Sequence, residues 1–181
     1  MLTVVVLAAG ESKRFGSQKL LHRLERADTL FERAMRACGT YDAVVVCNEH
    51  TLAAAQQLHA RAILNRDPQR GMVHSLRLAN DAIDPGRPIL VVPADLLLIE
   101  PHHVADLAAL ANNEDVVFPV RPDGTPGHPV YFSAHARELI GELHDNEPIA
   151  HLRDHPLLTR RMITIEEPWP YRDVDEPGDL P

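Results

Sequence analysis

The chain has 181 residues, 45% of them hydrophobic, and a formal net charge of −8. That length suits one domain with a substantial core. No apolar run approaches the roughly 20 residues that a membrane-spanning helix needs, and the acidic balance argues against a nucleic-acid binder, which carries a basic face. The first residues enter an apolar run directly, without the charged start and cleavage site of a signal peptide, so a cytoplasmic location is expected. The charge is uneven. Lys13, Arg14, Lys19 and Arg23 cluster near one loop, while Glu166, Glu167, Asp173, Asp175, Glu176 and Asp179 crowd the C-terminal end. A basic loop in an acidic chain points to a small anionic ligand. Cys38 and Cys47 are too few for a disulfide framework and read as buried thiols.

Leu2 to Leu7 reads as a buried strand. The loop after it, Leu7 to Lys19, combines two glycines, two hydroxyls and three cations. Thr29-Leu30-Phe31-Glu32 has capping-box form, and Gly39 suits the end of the helix it opens. Ala43 to Cys47 is a β-branched run and reads as a buried parallel strand. A helix is expected over about 50–60, then a short strand from Ala62 to Leu64, ending at Asn65. A turn over 66–71 leads to a helix from about Val73 to Ile83, which Pro85-Gly86 breaks. Ile89 to Val92 is another buried strand, ending at Pro93-Ala94-Asp95. Pro101 fits the first turn of a helix reaching about Ala111. Val116 to Val120 and Val130 to Phe132 read as strands around a loop rich in Pro and Gly. Helices are expected over about 134–143 and 148–154, and a late strand from Met162 to Ile165, with Arg160-Arg161 a solvated edge before it. Pro168 to Pro181 reads as an irregular tail. His151 and His155 are four apart, but Pro156 follows at once and no third ligand is in view.

Strand and helix alternate through the first 120 residues, which predicts a parallel sheet with helices on both faces. Ligands of such sheets bind beyond the carboxyl ends of the strands, where the first loop and Asp95 both fall. The chain reads as one domain, 1–181, with a region from about 121 to 160 shaping a second pocket.

The first loop lacks both the Gly-Lys-Ser/Thr of a Walker A loop and the Gly-x-Gly-x-x-Gly of a dinucleotide fingerprint. Ala8, Ala9 and Gly10 nevertheless let backbone N–H groups approach an anion, and Arg14 and Lys19 can neutralise phosphate oxygens. Leu7-Ala8-Ala9-Gly10-x-Ser12-x-Arg14-Phe15-Gly16-x-x-Lys19-Leu20 closely resembles the signature loop of the MobA-like nucleotidyltransferases. Further segments resemble that family in order: Gly71-Met72-x-x-Ser75-Leu76, Asp95 after its strand, Gly127-His128-Pro129-Val130-x-Phe132, and Asp173 to Leu180.

The resemblance implies a Rossmann-like three-layer α/β/α sandwich with a mostly parallel sheet, of the nucleotide-diphospho-sugar transferase kind. It implies Mg²⁺-dependent transfer of a nucleoside monophosphate from an NTP to a phosphorylated acceptor, with release of pyrophosphate. Leu7, Ala8, Ala9, Gly10, Ser12, Arg14, Lys19, Asn65, Gly71 and Ser75 would bind the nucleotide. Arg14, Lys19 and Asp95 would act in catalysis, Gly127 and His128 at the acceptor, and Asp95 with Asp173 or Asp175 at the metal. Leu-Ala-Ala-Gly is more similar to the cytidylyltransferases of molybdenum cofactor than to the guanylyl enzymes, which usually have Leu-Ala-Gly-Gly. CTP and a molybdopterin acceptor, with a molybdoenzyme as recipient, are therefore expected. A sugar, polyol or phospholactate acceptor, or a non-catalytic binding relative, is the alternative. The chain departs from the family at Leu96-Leu97, where Gln-Pro often follows the aspartate, and at Leu20 to Leu24. The first departure makes that loop more apolar.

Overall fold

The apolar run at the start of the chain forms β1 (Thr3–Ala8), with every residue but Leu7 buried. The computed structural model describes residues 1–12, 15–24, 28–111, 113–145 and 147–180. The other strands are β2 (Asp42–Cys47), β3 (Arg61–Leu64), β4 (Ile89–Pro93), β5 (Val116–Val120), β6 (Val130–Phe132) and β7 (Arg160–Thr164). Among the described residues they form one seven-stranded sheet in the order β3-β2-β1-β4-β6-β5-β7. β2 and β4 flank β1 and run parallel to it, as does β3 to β2 and β7 to β5. β6 runs antiparallel to both β4 and β5. The sheet is thus mostly parallel, and the chain order reverses at β1, where β2 lies on one side and β4 on the other. Such a reversal opens a crevice at the carboxyl ends of the two strands.

The helices are α1 (Leu30–Ala37), α2 (Glu49–Gln57), α3 (Met72–Ala82), α4 (Pro101–Leu110), α5 (Ala134–Glu138) and α6 (Ala150–Arg153). Side chains alternate across β1. Val4 and Val6 pack with Leu30, Phe31, Ala55 and Val104 on one face, and Val5 packs with Val73, Leu76, Phe132 and Ile140 on the other. The period of two that buries both faces requires a helical layer on each, which makes the three-layer sandwich. α1 starts at the capping box: the Glu32 amide donates to Thr29 Oγ1 (3.1 Å) and the Thr29 amide to Glu32 Oε2 (2.7 Å).

Three expectations change. The helix expected over 134–143 ends at Glu138 and continues as a tighter turn over Leu139–Glu142. β7 begins at Arg160, so Arg160 and Arg161 belong to the edge strand itself. Charged side chains on an edge strand discourage pairing with another chain. α6 is only four residues, so His151 and His155 do not share a helix face, and His151 instead lies 3.8 Å from Glu147.

Arg137, only 3% exposed, ties the half of the sheet beyond β4 to α3. Its guanidinium donates to Asn80 Oδ1 (2.8 Å) and to the carbonyls of Asp84 (2.7 Å), Asn80 (3.0 Å), Ile83 (3.0 Å) and Arg87. These acceptors lie in the last turn of α3 and in the loop that follows it. Arg137→Met is expected to cost about 3 kcal/mol or more, because buried acceptors lose a charged donor. A urea midpoint unchanged from wild type would refute this.

Candidate active site

The first loop, the turn before α3, the end of β4 and the tail enclose a cavity of about 370 Å³, a size typical of small-ligand sites. Leu7, Ala9, Gly10, Ser12, Lys19, Gly71, Ser75, Asp95 and Asp175 all contribute to its wall. Arg14 lies outside the described residues. Ala8 is fully buried behind the wall.

The loop is braced from behind. Asn48 Nδ2 donates to the carbonyls of Gly10 (3.0 Å) and Ala9 (3.4 Å), and Thr51 Oγ1 donates to the carbonyl of Ala8 (2.9 Å). Both side chains are buried at the start of α2. They engage the carbonyls of this stretch, which leaves it free to offer N–H groups to an anion. Sequence reasoning missed Asn48 and Thr51, although the Asn-x-x-Thr cap of α2 is a readable signal. Ser12 closes the other end, with φ +53. Its hydroxyl accepts from the Lys19 amide (3.2 Å) and donates to Gln18 Oε1 (2.9 Å).

Gly71 opens α3 with φ +90, in the region that favours glycine. Ser75, one turn on, accepts a hydrogen bond from Asn65 Nδ2 (3.0 Å), and Asn65 Oδ1 accepts from the Asp67 amide (2.9 Å). Asn65 does not reach the cavity. It holds Ser75 from behind and faces a neighbouring polar groove with Asn48 and Arg66.

Lys19 is 9% exposed, and its Nζ donates to Asp95 Oδ2 (2.8 Å), the Val174 carbonyl (2.5 Å) and Asp175 Oδ1 (3.5 Å). The tail is brought there by backbone pairing. The Leu97 amide donates to the Arg172 carbonyl (2.8 Å) and the Val174 amide to the Asp95 carbonyl (3.1 Å). Leu96 and Leu97 are 2% and 3% exposed and anchor this loop in the core. The apolar pair after Asp95 thus fastens the tail to the end of β4. Asp179 fixes the next turn: its Oδ2 accepts from the amides of Asp175 and Glu176 (2.8 Å each), and these bonds lower its pKa. Glu176-Pro177-Gly178-Asp179 has capping-box spacing, the signal that would have found it.

A second cavity of about 310 Å³ lies on the other side of Asp95, lined by Met72, Leu96, Arg121, His128, Tyr171 and Asp173 among others. Asp95 belongs to both walls. Asp175 faces the first cavity and Asp173 the second. Gly127 and His128 come beside Asp95 because β6 pairs with β4, Val91 opposite Val130. The tail roofs this cavity: the His128 amide donates to the Pro170 carbonyl (2.9 Å), and Arg121 lies 4.4 Å over the Tyr171 ring.

His128 Nδ1 is buried and has no partner among the described residues. Burial lowers its pKa from the usual 6.5 to about 4, against the pull of Asp95. The ring is therefore neutral at pH 7. Unfolded, His128 takes up a proton below about pH 6.5; folded, it does not until about pH 4. Stability is thus lost as pH falls from 6.5 to 4. His128→Gln is expected to lessen that acid-limb loss, by up to about 3 kcal/mol. Identical pH profiles of urea stability for wild type and variant would count against it.

Cys38 and Cys47 are buried away from either cavity, their thiols pushed up to about 12 and about 11 by burial. Among the described residues, no three His, Cys, Asp or Glu side chains converge into a metal cage.

The model of the MobA-like NTP transferase domain matches residues 4–163. The chain belongs to that family. This MobA-like domain is thereby placed among the nucleotidyltransferases. It is 33% identical over 87 residues to a 2-phospho-L-lactate guanylyltransferase of Methanocaldococcus vulcanius. That match covers 46% of this chain and 38% of the relative, so the chain spans well under half the length of the curated relative it matches. Among solved structures, Rv0371c of Mycobacterium tuberculosis H37Rv superposes with a TM-score of 0.83 at 23% identity, over 98% of this chain and 94% of that one. The same protein was also solved as a manganese complex. Molybdopterin-guanine dinucleotide biosynthesis protein A of Archaeoglobus fulgidus gives 0.75 at 18% identity, over 98% and 94% of the two chains. At these identities the structures establish a shared fold.

Proposed function

We propose that the protein transfers a nucleoside monophosphate from an NTP, with Mg²⁺, to a phosphorylated acceptor. The observation that carries this reading is the position of Asp95 in the wall between two cavities. A triphosphate in the first and an acceptor phosphate in the second would meet at that residue. An acceptor oxygen forms a bond to the α-phosphorus, the bond from that phosphorus to the bridging oxygen breaks, and pyrophosphate leaves with the electron pair. The acceptor is already an anion, so orientation and charge neutralisation matter more than a strong base. Backbone amides of residues 9–12 would hold phosphate oxygens, and Lys19 would neutralise the departing pyrophosphate, with Arg14 in the role the loop resemblance implies. Gly71 and Ser75 would border the nucleoside, with Asn65 positioning Ser75, and Gly127 and His128 would border the acceptor.

Asp95 and Asp175 supply hard oxygen donors, which suit Mg²⁺ held by one or two carboxylates, waters and substrate phosphates. When bound, the metal supplies Lewis-acid stabilisation of the phosphoryl oxygens. A manganese complex of the mycobacterial protein agrees with divalent-metal use.

CTP and a molybdopterin acceptor remain the first specific choice. Ala9 borders the first cavity at the position where guanylyl enzymes usually have Gly, and it is this residue that favours the smaller pyrimidine. The likeness to the phospholactate enzyme favours GTP and a small phosphorylated hydroxy acid as the second reading. Pyrophosphate release from each of the four NTPs, with molybdopterin cofactor, phospholactate and sugar or polyol phosphates, tests this. Release with CTP and the pterin alone supports the first choice, and release with GTP and phospholactate the second. No metal-dependent release with any pair would overturn the transferase reading.

A further inference from the structure

We infer that the Lys19 ammonium is the resident cation of the Asp95–Asp175 pair, and that the divalent metal enters only together with the nucleotide, whose phosphates draw Lys19 away. The inference rests on the transferase reading and deepens it by fixing the order of binding. Nζ lies 2.8 Å from Asp95 Oδ2, 2.5 Å from the Val174 carbonyl and 3.5 Å from Asp175 Oδ1. Three oxygens of hard-donor type thus converge on one cation, and that cation belongs to the chain.

A dication and an ammonium repel at such distances, and one oxygen of each carboxylate already accepts from Nζ. Mg²⁺ or Mn²⁺ also needs near-octahedral oxygen coordination. The described residues offer no third acidic, thiol or imidazole group to complete it. A triphosphate removes both obstacles. It brings the missing oxygens, and it offers Lys19 a more strongly charged partner. Lys19 already lines the first cavity beside Gly10 and Ser12, and its backbone is held by the Ser12 hydroxyl. Rotation of the side chain would carry Nζ from the carboxylates toward phosphates held in that cavity. Until then the ammonium screens the two carboxylates, which keeps the tail docked on the loop of Asp95. The same geometry selects Asp175 over Asp173 as the second carboxylate at the metal, because Asp173 faces the other cavity.

Mn²⁺ binding, read by the electron paramagnetic resonance of free Mn²⁺, tests this on the purified chain. CTP and GTP analogues with a methylene between the α- and β-phosphorus serve as nucleotides. Wild type should bind Mn²⁺ at least about tenfold more tightly with the effective analogue than without any, after correction for Mn²⁺ held by the analogue itself. Lys19→Met and Lys19→Gln should bind Mn²⁺ about tenfold more tightly than wild type when no nucleotide is present, a gain that adding Asp95→Asn removes. Variants that fold, by circular dichroism, and bind no more tightly than wild type would overturn the inference. So would wild-type affinity that ignores both analogues, which decides the matter even if the variants do not fold. Pyrophosphate release by wild type separates the two failures. With release present and no gain in the Lys19 variants, only the binding order falls. With no release from any NTP, the transferase reading falls, and the Mn²⁺ affinities of the Lys19 variants still decide whether Lys19 holds the cation site.

Discussion

Asp95→Asn is expected to lower nucleotidyl transfer by about 10³-fold or more while the protein stays folded. The substitution keeps the shape of the side chain and removes its charge. The backbone of this residue continues to accept from the Val174 amide, and Leu96 and Leu97 stay buried, so the loop and the tail keep their anchor. What disappears is the negative charge in the wall that both cavities share. Lys19 retains the Val174 carbonyl and Asp175, which limits the cost in stability. Asp175→Asn should also reduce turnover strongly. Asp173→Asn should act chiefly on the acceptor, because Asp173 faces only the second cavity. Steady-state pyrophosphate release and urea denaturation of the same samples check all three. An Asp95→Asn enzyme within tenfold of wild type would remove Asp95 from the chemistry.

Much of this arrangement is legible in the sequence because it depends on local rules. Continuous β-branched runs at Val4–Val6, Val44–Val46 and Val91–Val92 imply strands buried on both faces, and such strands need helices above and below. The Thr29–Glu32 capping box marks the start of α1, and the small residues and cations from Leu7 to Lys19 mark a loop that walls the first cavity. The less legible parts depend on distant partners. Nothing in Asn48 or Thr51 alone reveals that they engage the carbonyls of residues 8–10, some 40 positions earlier. The charge of Lys19 suggests phosphates, whereas its partners in the structure are Asp95, Val174 and Asp175. Asn65 shares a segment with the cavity residues yet acts through Ser75.

The pair Leu96-Leu97 shows how a departure from a family pattern can be read physically. By sequence alone, two leucines in place of Gln-Pro imply a loop less able to hold a polar substrate. In the fold both are core residues, and their strand-like backbone pairs with the tail from Arg172 to Val174. This arrangement brings Asp175 to the first cavity and Asp173 to the second. The acidic tail, irregular by composition, is ordered by that pairing and by the Asp179 turn, so its two carboxylates have distinct places. A substitution that lifts the tail should therefore disturb both cavities at once.

Gly127→Ala is the sharpest way to lift it. A methyl group at this position would lie 2.5 Å from Cε1 and 2.7 Å from Cδ1 of Tyr171, and 2.7 Å from the Pro170 carbonyl oxygen. None of these atoms retreats freely. The Pro170 carbonyl accepts the His128 amide at 2.9 Å, and the Tyr171 hydroxyl donates to the Ile165 carbonyl at 3.2 Å. Arg121 covers the ring. The tail must move as a unit, carrying Asp173 away from the second cavity. Overpacking of this kind costs about 1–3 kcal/mol. The acceptor KM should rise by about tenfold or more, since a misplaced wall loses orientation before it loses charge, while NTP binding changes less. Tyr171→Ala in the same chain relieves the clash with the ring and leaves the clash with the carbonyl in place. The double variant should therefore recover part of the stability that Gly127→Ala alone removes, a coupling that a double-mutant cycle reads directly. Wild-type stability and acceptor KM in Gly127→Ala would mean that the tail does not wall the acceptor cavity in the working enzyme.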